Sequence, residues 1–167
     1  MDRILGILLV LHIGGAIVAF GPTFAFPIIG GMGGSEPMHA NFGVRVTERI
    51  TERLVLPLAV FQGITGLLLI WRANFNPLVQ LWLGLGIVLY VITLGISFFV
   101  QLPNERRLIE LTKTPPPPPA PGTPPPAGPP PEVAAAVRRV QQTGIVMTVL
   151  LLTIIILMIL GSHGFFG

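Results

Sequence analysis

Four long stretches of this 167-residue chain, 4–35, 54–71, 73–104 and 140–167, contain no Asp, Glu, Lys or Arg. A helix rises about 1.5 Å per residue and the bilayer hydrocarbon core is roughly 30 Å thick, so an uncharged apolar run of about 18 residues is long enough to cross. A soluble helix needs a charged face, and these stretches have none. The chain therefore reads as an all-α polytopic membrane protein. Its four transmembrane helices are expected at about 4–29, 54–71, 78–102 and 140–161, in an up-down bundle.

Composition agrees. Half of the residues, 51%, are hydrophobic and 10% are charged, against about 25% charged in soluble domains. With no cysteine, disulfides, thiolate metal sites, thiol catalysis and c-type haem attachment are excluded. The net charge is only +3, and the basic residues sit in loops beside spans. That is a topogenic pattern, not a nucleic-acid surface. The first apolar run continues far beyond the h-region of a signal peptide, so it is expected to stay as a span.

Proline, glycine and asparagine suggest where the spans end. Pro22 and Pro27 are expected to kink or end span 1, and the run Gly30-Gly31-Met32-Gly33-Gly34 to close it. Asn74 and Asn76-Pro77 predict a tight turn that makes spans 2 and 3 an antiparallel hairpin, and Pro103-Asn104 is expected to end span 3. Eight basic residues (Arg45, Arg49, Arg53, Arg106, Arg107, Lys113, Arg138 and Arg139) fall on one side of the bundle, and two (Arg3 and Arg72) on the other. The positive-inside rule then puts both long loops in the cytoplasm and both termini outside a bacterial inner membrane.

The expected organisation is a three-span region (1–113), a proline-rich linker (114–132), and a fourth helix with an outer tail (133–167). Residues 115–131 contain twelve prolines, which favour extended polyproline II, either as a spacer or as a docking ligand for an aromatic groove. Residues 104–113 predict an amphipathic extension lying at the membrane surface, and 132–140 an early start to span 4. In loop 40–53, helical spacing lines up Arg45, Arg49 and Arg53 on one stripe and Val46, Ile50 and Leu54 on another, with Arg45–Glu48 and Arg49–Glu52 as i,i+3 pairs. Two uses fit this loop: a lipid-facing helix whose arginines meet anionic headgroups, or a partner-binding helix. Arg106 and Arg107 join the membrane-surface basic set.

His12 is the only His, Asp, Glu, Lys or Arg within a span. Its helical neighbours Gly15, Ala16, Ala19 and Thr23 form a small face, so it is expected to point into the bundle. Counted from the outer face, His12 of span 1, Gln62 of span 2 and Thr153 of span 4 each lie about 12–13 Å deep. Tyr90 of span 3 lies nearer the midplane. These four form a candidate interior cluster, with Ala59, Gly63 and Gly66 as the small face around Gln62. It could be a structural hydrogen-bond set, a b-type haem or copper site at His12, or a pocket for another small ligand. His163 and Met158 are the candidate second ligands. The spans hold no carboxylate, and the chain has no HExxH, GxSxG, P-loop or dinucleotide fingerprint, so catalysis is not expected.

The run Leu8-x-x-Leu11-His12-Ile13-Gly14-Gly15-Ala16, then Arg49 and Arg53 ahead of Gln62-Gly63-Ile64-Thr65-Gly66-Leu67, resembles a class of predicted four-helix bacterial membrane proteins of unknown function. Those are distantly similar to copper-resistance D-type membrane proteins and to small haem-linked membrane proteins. The resemblance implies a haem or metal ligand in span 1, which falls on His12. The expected role is a non-enzymatic accessory or structural subunit of a larger membrane complex. The alternatives are a haem- or copper-binding protein and an oligomeric transporter or channel subunit. The expected partners are lipid, other membrane subunits and further copies of the chain.

Overall fold

The computed structural model describes residues 2–114 and 128–163. Among these the chain is helical throughout, with no strand. Four helices are long and apolar enough to cross a membrane: α1 (Arg3–Ser35), α2 (Ala40–Ala73), α3 (Leu81–Leu111) and α4 (Pro131–Ser162). A short 3-10 turn, Pro37–His39, links α1 to α2. Most of the proline tract and the tail 164–167 lie outside the described residues.

The helices run further than proline and glycine suggested. The first helix does not end near Ile29. It passes through a 3-10 turn at Gly21–Ala25 and stays helical to Ser35 across the glycine run. Both prolines fall at the first positions of a new helical segment, where the missing N–H removes no helical bond. Pro103 likewise does not end the third helix. It follows a π-turn at Ser97–Gln101 and opens the segment Leu102–Leu111. Pro57 in α2 follows a π-turn at Thr51–Val55 in the same way. The Asn74 turn forms as expected. Asn74 caps α2 at φ 57°, and the Asn76 side chain accepts the Leu78 N–H at 3.0 Å.

Specific contacts give each pair of neighbours an opposed register. Against α2, α1 sets Asp2 on Arg72, His12 on Thr65, and Gly33 on Ala40. Against α4, α3 sets Trp82 on Gly161, Gly86 on Met158, and Ser97 on Met147. Asn41 of α2 donates to the Ile109 carbonyl and to the Thr112 hydroxyl beyond α3, and Tyr90 of α3 donates to the Ala59 carbonyl. The main packing thus runs α1 to α2 to α3 to α4, and α1 and α4 form no comparable contact with each other. The inner helices α2 and α3 carry most of the buried residues.

Candidate functional site

Where α2 and α3 meet at the arginine-bearing end, their π-turns stand next to a cluster of enclosed polar side chains. A π-turn inserts one residue into the helical count and so rotates everything after it by about 100°. In α3 the inward row Gly86, Tyr90, Thr93, Ser97 would continue through Asn104 at ordinary spacing. The inserted residue instead brings Leu102 and Glu105 to the inward side beside Gln101 and Leu108, and all four are buried. The 104–113 extension continues α3 to Leu111 and packs against α2 and α4.

Glu105 is the first charged residue after the charge-free stretch, and it is only 2% exposed. The Gln101 amide donates to its Oε1 at 2.9 Å. Its Oε2 and the Gln101 Oε1 are buried without a partner. Burial pushes the carboxyl up to about 7. The Gln101 hydrogen bond opposes the rise, the nearby Glu48 charge adds to it, and the Thr51 hydroxyl beside it opposes it. Arg106 reaches across to α2 and pairs with Glu52 at 2.7 Å and Glu48 at 3.4 Å, but not with Glu105. These bridges replace the expected Arg45–Glu48 and Arg49–Glu52 pairs, because both glutamates face α3. Arg45, Arg49, Arg53 and Arg107 point outward, exposed. A mostly apolar groove of about 280 Å³, lined by Glu52, Leu56, Pro57, Val60, Phe98 and Leu102, lies beside this cluster.

Toward the other end, the expected interior cluster separates over three places. His12 points inward as expected, with its Nδ1 2.9 Å from the Thr65 hydroxyl of α2. That hydroxyl also lies 3.1 Å from both the Phe61 and the Gln62 carbonyl of its own helix. Gln62 is on the same interface, and its Oε1 lies against Gly15. Tyr90 is on the α2–α3 interface, over Gly63. Thr153 meets neither, because its hydroxyl donates to the Val149 carbonyl of its own helix. The small face around Gln62 is divided too: Gly63 admits Tyr90 and Gly66 admits His12. Equal depth said nothing about which face each residue occupied.

Haem does not fit these residues. A Cβ on Gly66 would sit 3.2 Å from His12 Cε1, and one on Gly15 would sit 3.2 Å from Gln62 Oε1, so α1 and α2 are packed too closely to admit a porphyrin. Met158 lies against Gly86 between α3 and α4, and His163 is hydrogen-bonded to Ile159 at the end of α4. Neither faces His12. Among the described residues no group of three or more His, Cys, Asp or Glu side chains could hold a metal ion. As a structural tie, the His12–Thr65 pair should show a coupling of about 0.6 kcal/mol, and at most about 1.7, in a His12→Ala, Thr65→Val double-mutant cycle of unfolding in detergent. Strict additivity would remove His12 from that role.

The length and position of these four helices are what a family comparison can test. A family model described as a predicted integral membrane protein, DUF2269, matches residues 6–161. The chain belongs to that family. The match to DUF2269 spans all four helices and supports the expected kinship with membrane proteins of unknown function. It does not extend to copper-resistance D-type proteins. No curated protein and no solved structure matches the chain.

Glu105 was the residue missed from sequence. The available signal was the Leu-Pro step that recurs at Leu56-Pro57 and Leu102-Pro103, each with a hydroxyl residue, Thr51 or Ser97, five positions before the leucine.

Proposed function

We propose that this DUF2269 protein is a non-enzymatic subunit that packs side by side with another membrane protein in a bacterial cytoplasmic membrane. Its helices run up and down, with both termini outside and the arginine-bearing end in the cytoplasm, as the positive-inside rule favours. The observation that carries this reading is the outward face of α1. Val10, Gly14, Ile17 and Gly21 recur there at helical spacing, opposite the His12 and Ala19 row that packs on α2. Val10 is 72% and Ile17 67% exposed, and a Cβ on Gly14 or Gly21 would meet nothing within 4 Å. Lipid tails gain nothing from glycine, whereas another helix gains close approach and backbone contact. The open ends of the helix row, at α1 and α4, add the space for a neighbour.

Native mass spectrometry from mild detergent tests this. The wild-type chain is expected to appear bound to a second membrane subunit, and Gly14→Leu is expected to release it while leaving the melting temperature of the chain unchanged. A wild-type chain that appears only as a bare monomer counts against the reading.

A further inference from the structure

We infer that the enclosed junction at Glu105 binds a small monovalent cation of sodium type, held by Glu105 Oε2, Gln101 Oε1 and the Thr51 hydroxyl. The two buried oxygens are the starting point. Both sit on side chains more than nine-tenths enclosed, and neither has a donor. The orientation of the Gln101 amide is set, because its Nε2 is committed to Glu105 Oε1. A flipped amide would press oxygen against carboxylate. Its Oε1 is therefore an acceptor by construction. Thr51 comes from α2, is itself 5% exposed, and stands beside Glu105.

Charge points the same way. Glu48, Glu52 and Glu105 gather at one junction, and the arginine touching that group, Arg106, is spent on Glu48 and Glu52. Glu105 is left without a cation. A donor set made only of oxygens selects a hard cation. A divalent ion would call for more carboxylates converging on it than Glu105 supplies. The π-turns complete the case. Thr51 opens one π-turn and Gln101 closes the other, Glu105 stands one turn beyond Gln101, and all three are buried. Distorted helices beside a carboxyl are a recurrent way of holding small cations in membrane proteins.

A trapped water would satisfy the same oxygens, so the test is cation dependence. The full chain in detergent is melted while NaCl replaces choline chloride at constant ionic strength. The wild-type melting temperature is expected to rise saturably by about 5 °C, and radioactive sodium is expected to bind at one ion per chain. Glu105→Gln, which removes the charge and keeps the shape, is expected to melt at the same temperature in both salts and to bind no sodium. Gln101→Leu is expected to weaken sodium binding at least tenfold. A wild-type response equal in sodium and choline, or an undiminished sodium response in Glu105→Gln, overturns the assignment.

Discussion

Replacing Glu105 by Gln is expected to raise the stability of the protein by about 3 kcal/mol at pH 8 in choline-based buffer. The buried carboxyl is pushed from the ordinary 4.5 up to about 7, chiefly by desolvation. Below about pH 4.5 both folded and unfolded chains hold the proton, and the residue costs nothing. Between 4.5 and 7 the unfolded chain ionises and the folded one does not, so stability falls as pH rises. Above 7 the full cost is present. Wild type should therefore lose stability between pH 5 and 8, and Glu105→Gln should not. Denaturant titrations at four or five pH values read this directly. A wild type whose stability is flat or rising across that window, or a variant that falls in parallel with it, would refute the expectation. Sodium is expected to narrow the gap between the two proteins at pH 8.

Gly161→Ala is expected to cost about 1–3 kcal/mol, the usual range for overpacking a tight contact. The added Cβ would run into the Trp82 ring, which packs directly on Gly161. Trp82 cannot swing aside freely, because its ring is held edge-on to Phe75 at 6.2 Å. The substitution should push the end of α4 away from α3. With Trp71→Phe as background, Trp82 is the sole indole and its fluorescence reports the separation. A variant with wild-type emission and melting temperature would show that the contact tolerates a methyl group. Gly86→Ala makes a useful contrast. There the obstruction is the end of the flexible Met158 side chain, which can turn away, so a much smaller loss is expected.

The helical class, the four membrane-length segments and the Asn74 turn were all legible in the sequence. They depend on local properties: uncharged length, and an asparagine that tolerates positive φ. The inward aim of His12 was legible for a related reason, since Gly15 and Ala19 on its own helix already form the close-packing face. Its partner was not. Thr65 rather than Thr153 receives it, because the approach of two helices is set by which faces meet, and counting depth leaves rotation about each axis free.

Proline misled within two of the helices. Pro22, Pro27 and Pro103 were expected to kink or end a span, yet each falls at the start of a new helical segment and the helix runs on. In an apolar solvent a broken backbone bond has no water to replace it, so the chain changes its winding rather than stopping. By itself the sequence determined that this is a protein of four membrane-length helices, because burying so much uncharged apolar length leaves no other economical backbone structure. Only the tertiary structure decided that Glu105 faces inward with Gln101 and Thr51. One inserted residue rotates a helix by about 100°, and that rotation is settled by how α2, α3 and α4 pack together.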